Sequence, residues 1–429
     1  MIVFFRLLKE VVEGFSSSNE KSGDSPELKC SNMRMQKTFR LPQILILFIL
    51  SMLFGCSAPY IPEEKKAIEP VKPETAYVRV AVAKNISTLH VQAKDLSLIN
   101  HENRIPLPAN ITVTCNGDSV TINGSRYSTP VSLVSVSLVS ANAISVNGKL
   151  HYGHLVIQQN LLMAIVPLDE YLKGVLSAEV PESWPIEALK AQAVVSRTFV
   201  YRRIRQNKNR PYDVEDTVMD QKFDYGESSP AIDQAVLQTV GRVILYHGEP
   251  IEAFFHSCSG GRTERSGDIF QKDLPYLRSV SDPYCMDSRK FFWSFSKTGN
   301  EIKQALREYI DPGIFEYNLR AVKIYKRTGS GRVREFLLVF DGNESMAVDG
   351  NRFRIALNPT QFKSLLVDSI RVERQGTDVK FTFQGRGYGH GVGMSQWGAY
   401  EMAMRGFNYP AIIAHYYRGT KIGFIWDIR

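Results

Sequence analysis

From Tyr77 to about Val166 apolar positions come in short runs, such as Val78 to Ala83, Ile111 to Thr114 and Leu155 to Ile165. Asn-Gly pairs at Asn116, Asn123 and Asn147 punctuate them, the usual residues of a tight hairpin turn. This pattern predicts a β-rich N-terminal module over 77–166. At Pro167 the period changes. From Asp169 onward Tyr171, Leu172, Val175 and Leu176 fall on one side of a helix, and Glu179 continues that stripe. Pro181 stops the helix, having no N–H to donate and forcing its predecessor out of helical geometry. A second helix opens near Pro185 and runs through Ile186, Leu189, Ala193 and Val194 toward Tyr201. Its small residues Ala188, Ala191 and Ala193 let other elements approach closely, so it is expected to be central. Gln192 and Arg197 interrupt it as polar residues. Asp233 to Val240 reads as a short helix, and Val243 to Tyr246 with Ile251 to Phe255 as a hairpin around His-Gly-Glu. Strand patterning returns in Val322 to Tyr325, Glu335 to Phe340 and Val379 to Phe383, and two short helices follow near Tyr400 and Ala411. Strands and central helices without βαβ alternation predict an α+β fold, with a mixed helical and β-rich region over 167–429.

Glu179 is the informative position in this pattern. It is a lone carboxylate on the inward side of a helix end, before an irregular Ser-Trp-Pro turn. Apolar neighbours there are expected to raise its pKa and let it give and take protons near neutral pH.

Composition changes the picture little. The chain has 429 residues, 44% hydrophobic and 22% charged, with a formal net charge of +8 whose basic residues are dispersed. Such a surface suits any anionic polymer, but no recognition motif or cluster of Lys and Arg with aromatics points to nucleic acid. The N-terminus is more specific. Residues 1–32 read as an over-extended start. Read from Met33 or Met35, Arg34, Lys37 and Arg40 precede an apolar run, Leu41 to Phe54, and then Gly55 and Cys56. Residues 33–55 thus resemble a bacterial lipoprotein signal, with Cys56 as the site of lipid attachment; an uncleaved anchor is the alternative. The Pro-, Glu- and Lys-rich stretch that follows, assigned as 56–76, reads as a flexible tether. The expected product is an exported, membrane-anchored lipoprotein of the periplasm or cell envelope.

Of five cysteines, Cys30 lies in the first 32 residues and Cys56 carries lipid. In an oxidising compartment Cys258 and Cys285 are expected to pair, leaving Cys115 free and buried. The rival is a metal site of His256 with these cysteines, for which further ligands are not evident in the sequence. His151 and His154 flank a glycine and read as surface or satisfied residues.

Two segments past the helices carry polar clusters. Gly385 to Gly393 holds five glycines alternating with Arg386, Tyr388, His390 and Val392, and Ser395 and Gln396 follow. It lacks the Lys and Ser or Thr of a phosphate loop. Either Arg386, Tyr388, His390, Ser395 and Gln396 form the substrate-binding wall of a cleft, or this is a tight bend whose His and Gln satisfy buried backbone groups. Ser257 to Glu264 lacks the order of a nucleophile elbow. There Arg262 either pairs with Glu264 or holds a substrate carboxylate, and Arg197 joins the substrate-binding candidates.

Leu168 to Phe199, Ser259 to Glu264 (Ser-Gly-Gly-Arg-Thr-Glu) and Gly389 to Ala399 (Gly-His-Gly-Val-Gly-Met-Ser-Gln-Trp-Gly-Ala) together resemble, in this order, the SpoIID/LytB family of stage II sporulation protein D and amidase enhancers. The resemblance implies a peptidoglycan lytic transglycosylase acting on glycan strands, preferably those stripped of stem peptides by a partner amidase. It serves cell-wall remodelling, division or sporulation and needs no cofactor. The family's catalytic Glu falls on Glu179, with Val180 where Met is frequent. Some members bind zinc through a His-Cys cluster; Tyr212 to Gly226 here holds neither residue, so no metal is expected.

One carboxyl group suffices for this chemistry. Hydrolytic glycosidases place two carboxyl groups about the scissile bond. In the implied reaction the sugar's own 6-hydroxyl attacks the anomeric carbon. Glu179 protonates the leaving oxygen, then takes the hydroxyl's proton, and leaves a 1,6-anhydromuramoyl end. His390, Tyr388 and Gln396 are candidates to support the charge that develops. The alternative is a non-catalytic wall-binding enhancer of an N-acetylmuramoyl-L-alanine amidase, with Glu179 a buried acid bound to Arg197 or to the next helix.

Overall fold

The computed structural model describes residues 76–428, apart from 101–102, 136–143, 152–153, 217–227, 271, 287, 289–290 and 377. The expected signal, Cys30, lipidated Cys56 and all but the last residue of the expected tether lie outside the described residues. No helix among these residues is long and apolar enough to cross a membrane.

The architecture is α+β, with helices set among several sheets. Residues 77–167 build two of them. The strand Tyr77–Ala83 lies beside Leu161–Pro167, and His154–Gln158, Val131–Ser135 and Leu96–Asn100 follow outward in the same sheet. The second sheet is centred on Thr88–Gln92 and Asn110–Asn116. Along Asn110–Asn116 burial alternates at every residue, the signature of a strand with one wet face. Two Asn-Gly pairs form the expected two-residue turns: Asn123 and Gly124 have φ of 49° and 82°, Asn147 and Gly148 51° and 80°. Both residues of such a turn need positive φ, which Asn and Gly tolerate. At the third pair only Gly117 is left-handed, and the loop is Gly117–Asp118.

Inward residues of both sheets, among them Val80, Val91, Val113 and Leu133, join Tyr171, Leu172, Val175 and Leu176 in one core. The core therefore runs across the boundary expected at 166/167. Cys115 lies in it as a free, buried thiol, as expected.

Helix α1 (Leu168–Glu179) ends because Val180 is extended, φ −136°, ahead of Pro181. Helix α2 (Ile186–Gln206) is buried continuously from Ala191 to Val200, so it is central on all sides. It packs against α1, α3 (Pro230–Leu237), α4 (Gln396–Met404) and α5 (Tyr409–Tyr416). The expected hairpin is shorter than its sequence pattern. Arg242–Tyr246 pairs with Glu249–Pro250 only, and its longer partner is Lys421–Phe424. Phe255–His256 instead pairs, in parallel, with Met394–Ser395.

Residues 292–386 form a further layer with its own core. The sheet of Phe292–Thr298, Asp378–Arg386 and Leu366–Gln375 and the sheet of Leu319–Arg327, Val333–Phe340 and Ser345–Asp349 enclose Phe336, Phe353, Phe362, Phe381 and Phe383.

Candidate active site

Glu179 closes α1 and is half-buried. Gln396 opens α4, and its Nε2 donates to Glu179 Oε2 at 3.2 Å. Two features fix these ends. On the α1 side, the Trp184 N–H returns to the Pro181 carbonyl at 3.1 Å, folding the Ser-Trp-Pro segment into a turn. On the α4 side, Ser395 is the helix cap, its Oγ accepting from the N–H of Gly398 at 3.2 Å and of Ser259 at 3.3 Å. Beside the pair three rings meet mutually: Trp184 and Trp397 at 5.3 Å between centroids, Trp184 and Tyr400 at 5.2 Å, Trp397 and Tyr400 at 5.4 Å. Trp184 is buried while Trp397 and Tyr400 are half-buried. Sequence reasoning passed over these rings, although a Trp inside each of two motifs was the available signal.

The glycine run is a backbone seam. The Cys258 N–H bonds the Tyr388 carbonyl at 3.0 Å and the reverse bond is 2.8 Å. The Glu264 N–H reaches Gly391 O at 2.8 Å, and the Trp397 N–H reaches Ser257 O at 3.0 Å. A Cβ on Gly393 would lie 1.9 Å from the Phe254 carbonyl oxygen, and the left-handed backbone, φ +74°, also demands glycine. The seam carries Gln396 to Glu179.

The predicted polar wall does not form as one surface. His390 is walled by Phe254 and Phe270, and its Nδ1 accepts the Val392 N–H at 3.0 Å. Burial, with the Arg354 and Arg332 charges, pushes its pKa down to about 3, so it is a neutral ring bonded to backbone. This is the tight-bend reading of that residue. Ser395 is fully buried and occupied as a cap, so it does not line a cleft. Arg386 holds Asp368, Nη2 to Oδ1 at 3.0 Å, and the Tyr388 ring lies 5.6 Å from Lys363 Nζ.

Arg197 likewise does not face substrate. Its guanidinium is fully buried, donating to Thr239 O at 2.7 Å and Val236 O at 3.3 Å and pairing with Asp169 at 3.1 Å. It caps the end of α3, where helical carbonyls lack partners. Asp169 and Glu179 are ten residues apart on α1, about 15 Å of helix, so Arg197 serves the opposite end of that helix from Glu179.

Arg262 is exposed, and the local pairing with Glu264 is not made. Glu264 is buried, and its Oε2 accepts from Thr328 Oγ1 at 2.5 Å and Ser330 Oγ at 2.7 Å. Arg332, which sequence reasoning missed, reaches the same loop: Nη1 donates to Arg262 O at 3.0 Å and Nη2 to Ser259 O at 2.7 Å. Burial pushes Arg332 down to about 10 against the pull of Glu264. A turn of the 319–340 hairpin thus clamps the Ser-Gly-Gly-Arg-Thr-Glu segment. No local sequence signal announces a contact of this span.

Cys258 and Cys285 are brought together beneath that segment but stand as free thiols, so the expected disulfide is not formed in this structure. Cys258 and, against burial, Ser259 Oγ at 3.2 Å draw the Cys285 thiol down to about 7; Cys258 is pushed up by the same contact and by burial. His256 is buried, its Nδ1 bonded to Val392 O at 3.1 Å. Among the described residues no group of three or more His, Cys, Asp or Glu could hold a metal ion. Of the paired histidines, His151 is buried and pushed down to about 4 by burial and Lys149, while His154 is exposed.

Comparison with known proteins places this geometry. Residues 158–246, which include Glu179, match the family model SpoIID, "Stage II sporulation protein", and residues 284–393 match a domain of unknown function, DUF8618. An uncharacterized protein of Brachyspira hyodysenteriae is 33% identical over 287 residues, covering 66% of this chain and 74% of that one. Stage II sporulation protein D of Bacillus subtilis is 32% identical over 273 residues, 60% of this chain and 74% of that protein. The amidase enhancer of the same organism is 28% identical over 354 residues, 71% of this chain and 47% of its own length. With the motif-bearing loops joined in one seam and the first two of these relatives each matched over 74% of their length, the chain belongs to the SpoIID family.

Proposed function

We propose that this chain is a peptidoglycan lytic transglycosylase that cuts glycan strands, preferably those without stem peptides, using Glu179 as its single acid and base. The observation that carries the reading is the Gln396 amide on Glu179 Oε2. It fixes one carboxyl group at the meeting of two motifs far apart in sequence, beside the Trp184, Trp397 and Tyr400 rings. Aromatic faces suit the apolar faces of sugar rings.

In the reaction the Glu179 carboxyl gives its proton to the glycosidic oxygen as the bond from that oxygen to the anomeric carbon breaks. The carboxylate then takes the proton of the 6-hydroxyl, whose oxygen closes on the same carbon. The strand ends in an anhydro sugar, and the enzyme returns to its starting protonation state. Gln396 orients the carboxyl group throughout.

The relatives' names fit this setting: one is a sporulation protein and another an amidase enhancer. The second name supports the other reading, a wall-bound partner of an amidase that cuts nothing itself. In either reading the chain is exported and held at the envelope through lipid on Cys56.

Digestion of stripped glycan by the purified chain separates the two. Products lighter by one water than hydrolysis products support the lyase. Glu179→Gln keeps an oxygen to accept from Gln396, so the fold survives and cleavage is abolished. Cleavage retained by that variant removes Glu179 from the chemistry, and no cleavage by the unaltered chain, with stimulation of an added amidase, establishes the enhancer.

A further inference from the structure

The outward face of the sheet Phe292–Thr298, Asp378–Arg386 and Leu366–Gln375 carries a second feature that the candidate active site does not use. A groove of about 540 Å³ opens there, lined by Phe292, Ser294, Asp368, Ser369 and Gln384 with Trp293 and Gly385. Phe292 is 73% exposed, in contrast to its buried neighbour Phe291, whose ring meets it edge-on at 4.8 Å and 81°. An aromatic ring so exposed yet braced is a platform rather than part of a core.

The polar groups around it are ordered across the strands. Phe292 faces Arg386 in the ladder, and Arg386 is held by Asp368 at 3.0 Å. Ser294 faces Gln384, whose Oε1 accepts from Ser369 Oγ at 3.1 Å. That bond fixes the amide and leaves its Nε2 hydrogens without a partner among the described residues. Between Gln384 and Arg386, Gly385 faces inward, where a Cβ would lie 2.3 Å from Leu366 O and 2.5 Å from the buried Trp293 ring, so the strand is packed tightly beneath the groove. The Arg386 and Asp368 charges cancel, so the groove pairs one apolar platform with neutral donors and acceptors.

We infer that this groove binds a glycan strand at a second place, Phe292 stacking on a sugar ring while Gln384, Ser294 and Ser369 take its hydroxyl and amide groups. The flat apolar faces of the sugar rings match the exposed ring, and their hydroxyl and N-acetyl groups match the neutral donors and acceptors beside it. The strand Asp378–Arg386 continues directly into the glycine run that delivers Gln396 to Glu179, so groove and candidate active site share one rigid segment. The inference rests on the glycan reading proposed above. It gives residues 284–393, whose matching family model is a domain of unknown function, the role of holding the polymer.

The test uses the full chain with Glu179→Gln, so that bound strands are not consumed, and cell-wall sacculi stripped of stem peptides. Adding Phe292→Ala or Gln384→Ala is expected to weaken retention on the sacculi about tenfold, the scale of one lost stacking contact with its hydrogen bonds. With Glu179 intact, the same substitutions leave cleavage of a short soluble tetrasaccharide unchanged. Retention unaltered by either substitution, in a chain that still cuts glycan, overturns the groove and leaves the enzyme reading standing. Retention lost on Phe292→Ala in a chain that never cuts keeps the groove and ends the enzyme reading. Absence of any retention by the Glu179→Gln chain overturns the groove outright.

Discussion

Gln396 donates its side-chain amide to Glu179 at 3.2 Å across 217 residues of sequence. The bond joins the last residue of one helix to the first residue of another, so the carboxyl group is placed by two elements whose own ends are fixed.

Gln396→Ala should therefore lower glycan cleavage about 10- to 100-fold, the range of a hydrogen bond to a charged group. The helix cap belongs to Ser395 and is untouched, so thermal unfolding should move by only a few degrees. Measuring cleavage rate and melting together checks this; full activity in a folded variant would show that Gln396 does not orient Glu179.

Arg197→Ala should act in the opposite way. It leaves the C-terminal carbonyls of α3 without their donor and empties a fully buried site, a loss of roughly 3–5 kcal/mol in urea unfolding. Glycan retention by the fraction that stays folded should be unchanged. Asp169→Asn keeps an oxygen for the guanidinium but removes a counter-charge from the fully buried Arg197, so it should cost about 1–3 kcal/mol, less than Arg197→Ala because the carboxylate is 44% exposed and partly screened.

Two glycine substitutions separate backbone strain from close packing. Gly148→Ala meets open space at φ +80° and should cost about 1–2 kcal/mol, the left-handed penalty alone. Gly393→Ala adds a clash at 1.9 Å with the Phe254 carbonyl oxygen and should cost at least about 2 kcal/mol more, or prevent folding. Equal melting temperatures for the two variants would mean that the seam yields.

Acid should destabilise the fold through three histidines, of which His151 and His256 are buried and His390 is half-buried. His151 is held at about 4, His390 at about 3, and His256 well below its ordinary value, in each case chiefly by burial. Above pH 6.5 these rings are neutral folded and unfolded alike, and pH has no effect through them. Below it the unfolded chain takes up protons that the folded chain refuses, so stability falls with pH through the window from 6.5 to about 3. His151 alone accounts for about 3 kcal/mol of this by pH 4. Unfolding measured between pH 7 and 4 checks the slope, and His151→Gln should flatten it.

Much of the local structure was legible because it depends on neighbours in sequence. The apolar stripe of Tyr171, Leu172, Val175 and Leu176 and the block at Pro181 predict α1 and its end, and α1 ends at Glu179. The alanines of α2 predict its central place, and Asn123-Gly124 and Asn147-Gly148 turn where left-handed backbone is cheap. The hairpin at Val243 stops at Pro250 because the chain that follows leaves for another sheet, where Phe255–His256 pairs with Met394–Ser395, a partner more than a hundred residues away; Lys421–Phe424 takes the other edge of Arg242–Tyr246.

The site divides along the same line. By itself the sequence determined the residue types, the helix that ends on Glu179 and the glycines that a close seam requires, since these follow from propensity, period and sterics within a few residues. Only the tertiary structure decided what each polar group does. It gave Gln396 to Glu179, turned Arg197 and Ser395 into caps and His390 into a neutral packed ring, and brought Arg332 onto the Ser259 loop. A side chain's role is set by which desolvated partner it meets, and that partner is chosen by packing across the whole chain.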